Sequence, residues 1–223
     1  MTDGEWPVEL VGVVESVTST RDPDGDWSVA ALGLHAGDDH DPVDPVRART
    51  WGQTRTRKNF ERQGGCYVQF VRDPFVFVEA ALDEVETDDP VLDAAMAWAE
   101  VDVTRIDTGE SGGTQWVDWR LRPDRSAVER RRVPTTTRSL GAVLELTVAG
   151  SRLGVPEYDD DELRDRMAFF AEVAHTCGGP REREAVALVA SLTDWNPQAQ
   201  DLDLDPNLDL ETATDAEPKH VDT

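Results

Sequence analysis

The chain has 223 residues, enough to bury a full core in one large domain or two small ones. Its 46 acidic residues stand against 22 basic ones, a formal charge of -24 that repels nucleic acid and anionic membrane surfaces and matches a proteome living in molar salt. No apolar run is long enough to cross a bilayer, and the opening M-T-D-G-E-W lacks the basic and apolar regions of a signal peptide, so a soluble, cytoplasmic protein is expected.

In chain order, valine-rich Val8 to Val17 predicts a strand, followed by the turn cluster Asp22-Pro23-Asp24-Gly25-Asp26. Trp27 to His35, W-S-V-A-A-L-G-L-H, predicts its hairpin partner. Ala30, Ala31 and Gly33 carry so little side chain that a flat ligand would reach the backbone there, although close sheet packing or a bulge explains the same residues. Gly37 to Pro45 reads as a solvated loop. Its Asp38, Asp39, His40 and Asp41 have the types of metal ligands, but adjacent loop residues rarely converge on one ion, and no metal site is expected.

The next stretch, Arg47 to Gly65, reads R-A-R-T-W-G-Q-T-R-T-R-K-N-F-E-R-Q-G-G. It sets Arg47, Arg49, Arg55, Arg57, Lys58 and Arg62 against one acid, Glu61. Arg47 to Trp51 predicts a strand, Gly52 breaks it, and Thr56 as N-cap with a stop at Gly64-Gly65 predicts a short helix. A helix start offers unpaired N–H groups and the positive end of the dipole. Thr54 and Thr56 add hydroxyls, and Arg49, Arg55 and Arg57 add charge, a set that suits a phosphate. The competing reading is a solvated basic face paired with acids elsewhere.

Cys66 to Arg72 predicts another strand and Phe75 to Leu82 a short helix. Ala99 to Thr104 alternates like a half-buried strand, and Gln115 to Leu121 repeats the pattern after a Gly109 to Gly113 loop. Strands at this spacing suggest a closed or nearly closed antiparallel barrel. A second basic cluster, Arg120 to Arg132, serves either a subunit contact or the negative groups of a substrate. The cysteines, Cys66 and Cys177, match no metal motif and are expected as buried packing residues.

The final third changes period. Leu140, Val143, Leu144, Thr147 and Val148 predict one helical face. Leu163, Met167, Phe170, Ala174 and Cys177 predict a second, and Ala185, Leu188, Val189 and Leu192 a third. The expected organisation is a barrel domain over 1–134, a helical extension packed on it over 135–195, and an acidic, disordered tail over 196–223.

Together, A-A-L-G-L-H-A (30–36), R-T-W-G-Q-T-R-T-R-K-N-F (49–60), D-P-F-V-F-V-E-A-A-L (73–82), E-S-G-G-T-Q-W (110–116) and V-P-T-T-T-R-S-L-G-A-V-L-E (133–145) resemble an archaeal family of unknown function, with haloarchaeal members most alike. The resemblance implies a mainly β protein, a flavin-reductase-like split β-barrel with a C-terminal helical segment, that binds FMN as a homodimer with the flavin near the subunit interface. By the same resemblance the family's phosphate motif, Gly-x-Thr-Lys-Thr-x-x-Asn, falls on Gly52, Thr54, Arg55, Thr56 and Asn59. Its small-residue strand falls on Ala30, Ala31, Leu32 and Gly33, against the flavin ring. Arg55 replaces the lysine of many relatives and keeps the charge, while Ser28 stands where relatives often carry asparagine. The implied function is an FMN-dependent oxidoreductase, with NAD(P)H as a donor and no acid or base residue demanded by the motif. A non-catalytic flavin carrier or dimerisation module is the alternative, and the net charge argues against a barrel that binds nucleic acid.

Overall fold

Short runs that alternate small polar with aliphatic residues build the first part of the chain from strands: β1 (Thr2–Asp3), β2 (Val13–Arg21), β3 (Trp27–His35), β4 (Val46–Trp51), β5 (Gly65–Val71), β6 (Val85–Thr87), β7 (Ala95–Ser111) and β8 (Thr114–Val128). The computed structural model describes residues 2–36, 46–133 and 135–197, in two units that divide between Thr136 and Thr137. The loop holding Asp38, Asp39, His40 and Asp41 and the acidic tail beyond 197 lie outside the described residues.

Every pairing is antiparallel. The order β8–β4–β3–β2–β5–β7 closes through the β7–β8 hairpin, so these strands form a barrel, while β1 extends β8 and β6 pairs with the start of β3. Closure removes the open edges that a flat sheet would present. Register shifts in β7 at Glu100/Val101 and Arg105/Asp107 bend the long hairpin, as bulges do. Inside lie Leu32, Leu34, Val68, Val101, Val117, Trp119 and Leu121, with Phe60 of helix α1 (Arg55–Gln63) set edge-on against Trp119 at 5.3 Å. The other barrel helix, α2 (Pro74–Leu82), starts at Asp73, whose carboxylate accepts from Phe75 N and Val76 N.

Several boundaries differ from the sequence expectation. The strand expected over Val8 to Val17 is β2 and starts only at Val13, because Gly12 takes a left-handed turn (φ 66°) just before it. The expected Gly109 to Gly113 loop shrinks to a tight turn at Gly112-Gly113, since β7 runs on to Ser111. Much of the second basic cluster lies on β8, where Arg120 and Arg122 are exposed.

The second unit holds α3 (Ser139–Gly150), α4 (Asp160–Cys177) and α5 (Pro180–Leu192). The buried face of α3 runs through Ala142, Val143, Leu146, Thr147, Ala149 and Gly150, rotated from the predicted one: Gly150 accepts the close approach of Met167, Val189 and Thr193, and the contact turns the helix that way. Leu163, Met167, Ala171 and Ala174 of α4 and Ala185, Val186 and Val189 of α5 complete this core. Cys66 is buried as expected, but Cys177 is half-buried at the end of α4, where Arg138 Nη2 donates to its Sγ at 3.1 Å.

Candidate functional site

The basic stretch occupies β4, a turn and α1. Gly52 turns the chain with φ 62°, and its N–H donates to Gln115 O at 2.7 Å. Helix α1 begins one residue after Thr54, which is the N-cap in place of the predicted Thr56: its Oγ1 accepts from Arg57 N at 3.3 Å. Gly64, left-handed at φ 67°, ends the helix, its N–H returning to Phe60 O.

Around this start the side chains already have protein partners. Arg55 Nη1 lies 2.6 Å from Glu86 Oε1 and 3.6 Å from Asp22 Oδ2, and the Glu86 hydrogen bond raises its pKa. Arg57 Nη1 donates to Gly52 O at 2.9 Å, clasping the turn to the helix. Asn59 is buried, and its Nδ2 donates to Thr20 Oγ1 at 3.0 Å and Asp22 Oδ1 at 2.9 Å while its Oδ1 accepts from Arg62. Asn59 thus ties α1 to the end of β2. Thr56 is buried as well.

Upstream, a cavity of about 630 Å³ opens on the outer face of the barrel, lined by Val13, Glu15, Gly33, His35, Arg47, Ala48, Arg49, Trp51 and Asp118. It lies where β3 and β4, paired at Leu34↔Ala48 and His35↔Arg47, diverge toward Gly33 and Trp51. Arg49 is gripped there by Asp118 in a two-pronged pair, Nε–Oδ1 2.6 Å and Nη2–Oδ2 2.9 Å. Its guanidinium stacks on Trp116, 4.0 Å from the ring centroid, with Trp51 at 5.6 Å. The Arg49 hydrogen bond, against a smaller opposing effect of burial and with added help from the charges of Arg49, His35 and Arg47, holds the Asp118 carboxyl below the usual carboxylate range.

The predicted residues therefore fall in two adjoining places. The cavity brings Gly33 and Arg49 together, and the α1 start holds Gly52, Thr54, Arg55, Thr56 and Asn59, with Gly52 directly after Trp51 and the N-cap Thr54 three residues beyond it. The small-residue strand splits by face, as alternation requires. Leu32 belongs to the barrel core and Ala30 shares its parity, whereas Ala31 shares the parity of Gly33. Sequence reasoning missed Glu15, Trp51, Trp116 and Asp118. The alternation in W-V-D-W (116–119) carried a signal for two of them: Val117 and Trp119 are buried, so Trp116 and Asp118 face outward together.

A closed antiparallel barrel of this topology, with a cavity between diverging strands beside a helix start, is the flavin-reductase-like split barrel. Residues 14–130 match the N-terminal domain of a protein family of unknown function, DUF447, and residues 137–190 match its C-terminal part, so the chain belongs to that family. Among solved structures it is similar to an FMN-bound protein of DUF447 from Methanosarcina mazei: 21% identity, 81% of this chain and 95% of the other covered, TM-score 0.68. It also overlaps the flavin reductase of a styrene monooxygenase from Pseudomonas putida (16% identity, 54% and 92% covered, TM-score 0.35). A flavoredoxin from Methanosarcina acetivorans matches at 13% identity, with 55% and 72% covered and a TM-score of 0.39. No curated protein matches the chain in sequence.

Proposed function

We propose that the protein binds FMN, with the ring in the cavity and the phosphate at the start of α1, and works as an FMN-dependent oxidoreductase that draws on NAD(P)H. Gly33 carries this reading. A Cβ placed there meets nothing nearer than Val13 Cγ1 at 3.8 Å and Glu15 Oε2 at 3.9 Å, and the backbone is not left-handed. Neither packing nor conformation asks for glycine, so what it preserves is room in the cavity, which fits a flat ligand lying on the strand. The volume of about 630 Å³ falls within the range of cofactor pockets. The family member from Methanosarcina mazei, FMN-bound and alike over most of both chains, supports FMN as the flat ligand.

Bound there, FMN would supply the redox chemistry. The chain's own part is to hold and orient it. Ala31 and Gly33 would clear the ring's place, with Ala30 and Leu32 contributing backbone only. Gly52, Thr54, Arg55 and Thr56 would receive the phosphate at the helix start. Asn59 would keep that start anchored to β2, and Arg49 would face the cavity from its Asp118 clasp. Two large apolar side chains, Val13 (60% exposed) and Trp51 (46%), stand at the cavity and favour a homodimer in which a second copy covers it.

Titration of FMN with the protein, followed by flavin fluorescence, tests the site. Saturable binding is expected, and Gly33→Val should weaken it about tenfold or more while leaving the urea midpoint unchanged. Absence of binding in the unmodified chain, or equal binding by the variant, would overturn the assignment. NAD(P)H oxidation by the flavin-loaded protein then separates an oxidoreductase from a carrier, and sedimentation reads the dimer.

A further inference from the structure

Arg55, the first residue of α1, lies between two carboxylates that come from elsewhere in the chain. Its Nη1 is 2.6 Å from Glu86 Oε1 and 3.6 Å from Asp22 Oδ2. The pairing of β6 with β3 at Ser28↔Glu86 carries Glu86 to the helix start, and Asn59 Nδ2 holds Asp22 there by donating to its Oδ1. The two acids are unequal. Glu86 is 51% exposed and takes the hydrogen bond from Arg55, whereas Asp22 is 11% exposed and its buried Oδ2 has no hydrogen-bond partner among the described residues. A buried carboxylate oxygen without a donor is costly, and an exposed ion pair contributes little. The fold therefore has small need of the Glu86 contact and an open place for Arg55 at Asp22.

The local charge runs against an anion. Glu86, Asp22 and Glu84 all act on the one Arg55 guanidinium, and a phosphate monoester adds about two negative charges at pH 7. Arg57 is no substitute, since its guanidinium is taken by Gly52 O and Glu61. A phosphate received at this helix start must therefore displace an acid from Arg55. Glu86 is the one that can leave, because water solvates it on release, while Asp22 stays buried and tied to Asn59. Passing Nη1 from Glu86 to Asp22 would satisfy Oδ2 and leave the remaining donors of the fork for phosphate oxygens.

We propose that Glu86 is a positioning residue that competes with the ligand's phosphate for Arg55, so that binding exchanges a carboxylate for a phosphate at the start of α1. The inference rests on the FMN reading above, and the test separates the two. Binding of FMN and of riboflavin, which lacks the phosphate, is followed by flavin fluorescence at pH 7 and one fixed salt concentration. The full-length chains compared are the unmodified protein, Glu86→Gln, Glu84→Gln, Arg55→Gln and the Glu86→Gln, Arg55→Gln double variant. Glu86→Gln should bind FMN about threefold tighter and riboflavin as before. The gain should vanish when Arg55 is already replaced, and Glu84→Gln, which acts on Arg55 through its field alone, should gain less. Equal or weaker FMN binding by Glu86→Gln overturns the proposal, as does an equal gain for riboflavin. A gain that persists without Arg55, or that Glu84→Gln matches, also overturns it, because either marks plain repulsion. If Arg55→Gln weakens FMN binding and Glu86→Gln changes nothing, only the competition falls. If the unmodified chain binds neither flavin, or Arg55→Gln leaves the preference for FMN over riboflavin intact, the phosphate reading fails and takes the proposal with it.

Discussion

Arg49 is fixed by two forces of different kind, the bidentate clasp of Asp118 and the face of Trp116. Its side chain is 37% exposed, so solvent screens the pair and its contribution is about 1 kcal/mol or less. Asp118→Asn should therefore lower stability only by about that amount at pH 7. The sign of the pH dependence follows from the depressed carboxyl: its stabilisation is complete above the unfolded-state value near 4 and disappears as pH falls through the lower folded-state value. Urea unfolding at pH 7 and at pH 3 should show the gap between unmodified and variant chains shrinking at the lower pH; a gap that widens there contradicts the assignment. Asn59 is the opposite case, buried and bonded on both ends of its amide. Asn59→Ala leaves Asp22 and Thr20 short of a donor and should cost about 2 kcal/mol with no flavin present, whereas a residue that served only the phosphate would cost nothing. Cys66 is buried, and burial pushes its thiol up to about 12. Alkylation of the native chain at pH 8 should therefore modify Cys177 and spare Cys66, read by mass spectrometry of the peptides.

Helix α1 and the β7–β8 hairpin are the elements that set the site, and they differ in how far the sequence exposes them. The helix was legible because its signals are local: a glycine break, threonines and a terminal glycine pair. The choice between Thr54 and Thr56 was not, since both have a hydroxyl and only the path out of Gly52 decides which one meets a free N–H. Thr54→Ala should cost about 1 kcal/mol in thermal or urea unfolding, the usual loss for a removed cap. The hairpin was legible as strands, through alternation, but not as a platform. Trp116 lies over Gly109, where a Cβ would come within 2.3 Å of the indole, and this pairing is set by the two-residue Gly112-Gly113 turn, which a loop over Gly109 to Gly113 conceals. The Arg49–Asp118 pair stayed hidden for another reason: 69 positions separate the partners, and only barrel closure makes them neighbours. Gly109→Ala should displace the Trp116 ring, release the stack on Arg49 and cost about 1–3 kcal/mol as an overpacked site. Near-UV circular dichroism and unfolding measured together would check it, and an unchanged aromatic spectrum would count against the platform.

At the scale of the whole molecule, the dominant feature is a charge of -24. The ion pairs do little to offset it. Arg55–Glu86, Arg105–Glu61 and Arg166–Glu145 each have a cation at least 41% exposed, where such pairs are worth less than about 1 kcal/mol. Repulsion among the excess carboxylates acts over longer distances, and its reach shortens from about 10 Å at 0.1 M salt to about 3 Å at 1 M. Added salt weakens both effects, but a short, close pair loses less than a field summed over many distant like charges. The net result should be stabilisation, with the midpoint of thermal unfolding rising by about 5 °C or more between 0.1 M and 1 M KCl. Screening should deliver most of that rise at the lower concentrations and then level off, whereas exclusion of solute from the surface would keep adding in proportion to concentration, as sucrose does. A KCl series set beside a sucrose series therefore identifies the cause: early saturation assigns it to carboxylate repulsion, and a flat or falling midpoint in KCl would mean that the exposed pairs outweigh the field of the excess acids.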